Sequence, residues 1–244
     1  PARLERLQSL TLGGSPVSRE LMQRIRRALT PRVILDYGAT EFGGVARSDP
    51  RLHARHPDAA GRVLPWIDVR IEDDDGNALP PGAVGRVGLR SAGGIADGYF
   101  EDPENTARSY RDGWFFPGDL GSLTPDGVLL LAGRADDVVS IGGVKLNLAE
   151  VDRAIESFPG VVEGAGFVVT SPRGVTLLLA AVVAKDSLDE AALRGHCASR
   201  LRGQRPAQIV RLPALPRNAA GKVLRRELQQ RVRVAPAGPP AQGA

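Results

Sequence analysis

Between Asp112 and Asp152 the chain reads DGWFFPGDLGSLTPDGVLLLAGRADDVVSIGGVKLNLAEVD, and this stretch constrains the fold most. Thr124-Pro125-Asp126-Gly127 is a tight turn, because proline presets its second position and glycine takes the strained exit. Val128 to Leu131 and Val138 to Ile141 are too short and too apolar for surface helices, so both read as buried strands. Between them lies the polar knot Gly133-Arg134-Ala135-Asp136-Asp137, two acids beside one arginine. Packed strands favour a quieter connection, so the knot is either an ordinary charged turn or a place for the chain to bend.

The rest of the chain falls into two textures around that knot. Leu7 to Leu12 reads as a strand running into Gly13-Gly14-Ser15-Pro16. Ser18 is placed to cap a helix over Arg19–Leu29, which Pro31 ends. Val33 to Leu35 is a strand, and Asp36-Tyr37-Gly38-Ala39-Thr40-Glu41 reads as the loop at its carboxyl end, where open α/β sheets place ligands. His53 and His56 read as solvated loop residues. From Gly61 to Gly133 short alternating runs predict a small antiparallel barrel or sheet, with hairpin turns at Asp73–Asn77 and Pro80–Gly82. Asp102-Pro103-Glu104 opens a short helix.

After Asp136 a compact α+β lobe is expected. Asn147 with Glu150, and Ser187 with Glu190, form capping boxes for two helices. Val161–Thr170, Val175–Ala184 and Ile209–Leu212 read as strands, and Leu224–Val232 as the last helix. The boundaries expected are 1–135, 136–234 and a structureless tail Ala235–Ala244, APAGPPAQGA.

Composition excludes several classes. With 42% hydrophobic and 25% charged residues among 244, the chain suits a soluble globular protein. The net charge of +4 is scattered and aromatics are only 5%, which argues against nucleic acid and suits a small phosphate-bearing ligand equally well. One cysteine, Cys197, allows no internal disulfide and suggests a reducing, cytoplasmic setting; on its helix it reads as a small buried hydrophobe. Three histidines and one cysteine make no transition-metal cluster, and no apolar run approaches a membrane span.

Five stretches carry a resemblance. GWFFPGDLG, GRADDVVSIGGVKLNLAEVD, LPRNAAGKVLRREL and, upstream, LTLGGSPVSREL and LDYGATEFGG resemble the motifs of the acyl-adenylate-forming enzymes and stand in the family's order; these enzymes include acyl-CoA ligases, peptide-synthetase adenylation domains and luciferases. The resemblance covers about Leu10 to Glu227. It implies α/β and α+β architecture: part of the large domain's sheet with a small β-barrel, followed by a small mobile domain.

What the resemblance implies for residues can be weighed against plainer readings. Tyr37 would stack on adenine, Thr40 would meet the α-phosphate and Glu41 would hold Mg²⁺, a hard ion that shares its oxygen ligands with phosphate. Asp36, Gly38 and the loop Gly13-Gly14-Ser15 would lie against the nucleotide, with Gly14 and Ala39 on the acyl pocket; the plain alternative is a pair of turns. Asp119 follows Trp114, Phe115 and Phe116, which argues for partial burial and so for hydrogen-bond donors, supplied in the family by the ribose hydroxyls. Arg134 would be a second ribose contact; alternatively it pairs with Asp136 or Asp137. Asp136 would be the hinge, and Gly142, Gly143 and Lys145 would line the coenzyme A route, or form a simple bulge. Lys222 would meet carboxylate and α-phosphate as charge develops between them, or be one more cation in a basic tail.

The expected reaction joins a carboxylate to ATP as acyl-AMP and then to the thiol of coenzyme A; a carrier-protein thiol and a non-catalytic nucleotide- or partner-binding module are the alternatives. The family's Gly/Ser/Thr-rich phosphate loop occurs nowhere in these residues, and Pro1-Ala2-Arg3 lacks an initiator methionine, so a C-terminal portion with poor ATP turnover is expected. Arg86 stands where relatives carry an acid, and Trp66 where glycine is common.

Overall fold

A computed structural model describes residues 6–14, 17, 19–56, 59–171, 174–184, 187–219 and 221–232. Ser15, Pro16, Ser18 and the tail 235–244 lie outside the described residues. The chain packs as two compact units, Pro1–Asp136 and Asp137–Ala244.

The first unit is built on β1 (Leu10–Gly13), α1 (Arg19–Ala28), β2 (Val33–Ala39), β3 (Gly43–Ser48), α2 (Pro50–Arg55), β4 (Ala59–Val63), β5 (Ile67–Glu72) and β6 (Gly85–Ser91). It continues through α3 (Pro103–Ser109), β7 (Tyr110–Arg111), β8 (Trp114–Phe115), β9 (Asp119–Leu123) and β10 (Val128–Arg134). Hydrogen bonds join all ten strands, in the order β1-β2-β3-β4-β10-β9-β6-β8-β7 with β5 added on β6. Only β1 and β2 are parallel; every other pairing in this sheet is antiparallel. The apolar core of Val45, Ile71, Val87, Leu89, Phe115 and Leu129 lies against the antiparallel part.

Three sequence readings change here. The expected loop Asp36–Glu41 is mostly strand: β2 runs on to Ala39 because β3 folds back on it and supplies backbone partners, leaving only Thr40-Glu41-Phe42 as the turn. The polar character that suggested a loop is outward alternation, for Asp36 pairs across the hairpin with Arg47 while Tyr37 packs on the core. His53 sits in helix α2, whose start is fixed by Asp49 accepting from the Leu52 N–H, with Pro50 at the first position. The polar knot is shorter than it reads, since Gly133 and Arg134 finish β10 after a bulge and only Ala135–Asp137 form a 3-10 turn.

The second unit carries β11 (Val138–Ile141), β12 (Val144–Asn147), α4 (Leu148–Glu156), β13 (Val161–Thr170), β14 (Thr176–Ala184), α5 (Glu190–Arg200), β15 (Gln208–Arg211) and α6 (Arg225–Arg231). Strands β13 and β14 are antiparallel, with β15 parallel on β14, and α4 and α5 bury Val151, Ile155, Leu193 and Cys197 in the core that also holds Leu178, Ala180 and Val182. Leu228 of α6 joins a separate cluster with Phe167, Leu179 and Leu215.

Two details depart from expectation. Strand β12 was not expected, and the glycine pair is not a simple bulge: Gly142 and Gly143, at φ 56° and 83°, make a two-residue turn that hairpins β11 onto β12. Asn147 caps α4 as expected, accepting from the Ala149 N–H at 2.9 Å. On α5 the cap is Asp189, accepting from the Ala192 N–H at 3.0 Å, in place of Ser187; the helix starts two residues later than the capping box implied, at Glu190.

Candidate active site

Strand pairing brings Asp119 and Arg134 together, because the first residue of β9 lies opposite the last of β10. Arg134 Nη1 donates to Asp119 Oδ1 at 3.1 Å, and Tyr37 Oη donates to Asp119 Oδ2 at 2.6 Å across 82 residues of sequence. The carboxylate is 16% exposed, so both its oxygens are held without the group being sealed from solvent. Burial first, and then the Asp119 charge, hold the Tyr37 phenol far above its ordinary pKa of 10.0. Tyr37 is therefore a permanent donor, and Asp119 is presented by an aromatic ring on one side and a guanidinium on the other. Arg134 also approaches Asp136, at 3.9 Å.

A buried frame holds the approach to Asp119. The Glu72 carboxylate is 1% exposed and is gripped by Arg70, at 3.0 Å, and by Arg111. Arg70 in turn lies over Trp114 at 4.5 Å, and Arg111 over Phe116 at 3.9 Å. Phe115 points the other way, stacked near Phe42 and tilted on Tyr110 at 4.9 Å. The three aromatics that precede Asp119 are thus fixed on both faces of the sheet.

Phe42 belongs to the β2–β3 turn, which carries Thr40 and Glu41. Tyr99 Oη donates to Glu41 Oε1 at 2.9 Å, and the Tyr99 N–H is pinned by Thr106 Oγ1 at 2.9 Å. Burial and the bond to Glu41 push the Tyr99 phenol up, which keeps it a donor. The bond orients the Glu41 carboxylate through Oε1. Among the described residues no cluster of three or more His, Cys, Asp or Glu could hold a metal. A lone oriented carboxylate fits Mg²⁺ in the way that ion is held beside nucleotides, by one or two carboxylates with phosphate oxygens completing the shell.

The glycines of this region have structural reasons of their own. A Cβ on Gly38 would meet the Gly43 carbonyl oxygen at 2.2 Å, so the hairpin itself requires glycine there. One on Gly13 would stand 2.8 Å from the Asp36 oxygen, whereas Gly14, at φ 85°, faces open space. Asp36 is occupied bidentately by Arg47, at 2.7 Å twice, and Ala39 closes β2 partly buried on the core. Thr40 is exposed on the turn.

The remaining candidates stand on the second unit or at its border. Asp136 is 88% exposed and is the last residue of the first unit. Gly142 and Gly143 are the β11–β12 turn, and Lys145 is an exposed residue of β12 whose carbonyl accepts from Arg202. Lys222 sits in a closed loop before α6: the Asn218 N–H donates to the Lys222 carbonyl, and the Lys222 N–H to Asn218 Oδ1, both at 2.9 Å. Its side chain is exposed. The sequence reading missed Tyr99, the Glu72 frame and a Ser157–His196 contact of 2.8 Å. That last pair is no nucleophile and base, because the other ring nitrogen of His196 faces Arg200 rather than an acid. Tyr99 was signalled by an aromatic pair, Tyr99-Phe100, between polar loop residues.

Comparison with known proteins now bears on these groups. Residues 1–100 match the family described as AMP-binding enzyme. The chain is 36% identical over 225 residues to the 2-succinylbenzoate–CoA ligase of Geobacillus kaustophilus, covering 91% of this chain and 45% of that protein. The matching family and this relative are acyl-adenylate-forming enzymes. A second relative is the fatty acid–[acyl-carrier-protein] ligase ScoC of Streptomyces coeruleorubidus, 32% identical over 92% of this chain and 44% of that one. Among solved structures, the amide bond synthetase McbA from Marinactinospora thermotolerans superposes with a TM-score of 0.81 at 30% identity, over 91% of this chain and 47% of that chain. The chain spans about half the length of the curated relatives it matches.

Proposed function

We propose that this chain serves an AMP-forming acyl-CoA ligase, in which a carboxylate oxygen attacks the α-phosphorus of ATP, pyrophosphate leaves, and the thiol of coenzyme A then attacks the acyl carbon and releases AMP. The observation that carries this reading is the double grip on Asp119 by Tyr37 at 2.6 Å and Arg134 at 3.1 Å. A carboxylate so oriented accepts two vicinal hydroxyls, and Tyr37 offers adenine an aromatic face. Thr40 and Asp36 lie on the same β2–β3 hairpin, with Gly13 at the end of the neighbouring strand β1 and Gly14 next after it; the turn also carries Glu41, which would hold Mg²⁺ and lower the cost of charge building on the phosphates. Lys222 would answer the charge that develops as carboxylate meets α-phosphate. Asp136 would be the pivot on which the second unit turns between the two half-reactions. Gly142, Gly143 and Lys145 would then flank the arriving pantetheine.

A carrier-protein thiol is the second acceptor to consider, since one of the relatives is named for that acceptor. Three measurements separate the readings. Calorimetry with AMP is expected to show binding that Asp119→Asn weakens about tenfold or more; no binding to the native chain overturns the assignment. Release of pyrophosphate from ATP and Mg²⁺ with a panel of carboxylates tests the first half-reaction. Preformed acyl-adenylate given with coenzyme A or with a phosphopantetheinyl carrier protein tests the second. Thioester on coenzyme A supports the ligase, thioester only on the carrier supports the second acceptor, and AMP binding with neither leaves a nucleotide-binding module.

A further inference from the structure

Two arginines flank Lys222, five residues before it and three after, and each is anchored to an acid and to a backbone carbonyl of the second unit. Arg217 donates to Glu163 Oε2 at 2.8 Å and to the Gly221 carbonyl at 2.7 Å. Arg225 donates to Asp152 Oδ2 at 2.7 Å and to the Gly166 carbonyl at 3.1 Å. Asp152 Oδ1 also accepts the Gly166 N–H at 2.7 Å, so α4, β13 and the first turn of α6 meet at one ion pair. That pair is only 19% and 23% exposed, which protects it from screening.

Between the two anchors the loop is closed by its own backbone. The Gly221 N–H donates to the Asn218 carbonyl at 2.9 Å, and the Leu224 N–H to the Pro216 carbonyl at 2.8 Å, with Gly221 at φ 80°. Ala220 lies outside the described residues. Leu215 and Leu228 bury themselves on either side, in the cluster with Phe167 and Leu179. The backbone of Lys222 is therefore held from both ends while its four-carbon stem projects into solvent. A planar guanidinium holds a carboxylate and a carbonyl at once in fixed geometry, whereas an ammonium presents its three rotatable donors from a single atom.

We propose that Arg217 and Arg225 are positioning residues for Lys222, a bracket that fixes the point from which its ammonium group reaches the reacting phosphate. This rests on the reading of Lys222 as the group that meets the developing charge. It adds that these two arginines are committed to the second unit's own frame and do not compete for the same anion.

Hydrogen exchange in the 244-residue chain tests the bracket without requiring turnover. Amide exchange at Gly221 and Lys222 is expected to quicken about tenfold in Arg217→Gln and in Arg225→Gln, the size of one lost charge-assisted hydrogen bond. Amides in β13 and β14 should keep their protection. Arg217→Lys should restore protection only in part, since an ammonium lacks the rigid fork that spans both acceptors. Should Arg225→Gln loosen the whole unit, Glu163→Gln breaks the other anchor from a partly exposed side chain and is expected to reproduce the Arg217→Gln effect. Unchanged exchange at Gly221 and Lys222 in Arg217→Gln and Glu163→Gln overturns the proposal, as does full rescue by Arg217→Lys.

In pyrophosphate release the bracket variants are expected to lower kcat about tenfold with KM for ATP unchanged; a rise in KM alone also overturns it. A native chain that releases none leaves the decision to the exchange arm. Lys222→Ala separates the two readings: undiminished activity there sinks the catalytic role of Lys222, while the exchange results for the arginines stand or fall by themselves.

Discussion

Asp119 holds one donor per oxygen, and removing either donor leaves a half-buried charge short of partners. Tyr37→Phe keeps the ring and deletes the 2.6 Å bond, so it isolates the hydrogen bond from the packing. It is expected to cost the first unit about 1–2 kcal/mol in chemical denaturation and to weaken AMP binding by roughly tenfold. Glu156, by contrast, is an acid that folding leaves largely desolvated, which raises its pKa from 4.5 to about 7. The folded state then binds a proton that the unfolded state has lost between those two values. Stability therefore falls as pH rises from 4.5 to about 7, by at most roughly 1.4 kcal/mol per unit. In Glu156→Gln that slope should vanish, and the variant should outlast the native chain in urea at pH 8 but match it at pH 4. If the two chains track each other at both pH values, folding does not raise the pKa of this carboxyl. Burial likewise pushes the Cys197 thiol up to about 11, so it should resist thiol reagents at pH 8 until the second unit unfolds.

At the scale of elements, two turns decide whether strands meet. Gly142 and Gly143 both sit at positive φ, so Gly143→Ala is expected to cost about 1–2 kcal/mol and to loosen β12 without disturbing β13 and β14. Gly38→Ala is a stronger test, because its Cβ would collide with backbone at 2.2 Å; a loss of about 3 kcal/mol is expected, with β2 and β3 separating. These turns also show what could be read beforehand. Strands β13 and β14 were legible because each is a long apolar run bounded by turn residues, and α3 because Asp102-Pro103 is both cap and first position. The second half of β2 was not, since its residues owe their strand conformation to β3 and not to their own preference. Asp119 was legible from the aromatics before it, whereas its partnership with Tyr37, 82 residues away, was beyond any local signal. Glu72 was invisible for the same reason: in sequence it is an acid at a strand end, and only pairing with Arg111 makes it a buried ion.

On the scale of the whole molecule, the two units own separate apolar clusters, one around Val87, Leu89 and Leu129 and the others around Ile155, Leu193 and Phe167. Separate cores predict separate cooperativity. Scanning calorimetry should resolve two transitions, with Leu129→Ala lowering only one and Ile155→Ala only the other, each by about 2–5 kcal/mol; a single transition moved by both variants would contradict this. Among the described residues no helix is long and apolar enough to cross a membrane.

Arg134 closes strand β10 and stands two residues before the last residue of the first unit. Its guanidinium holds Asp119 at 3.1 Å, so the end of the first unit is moored to β9 by a side chain as well as by the strand ladder.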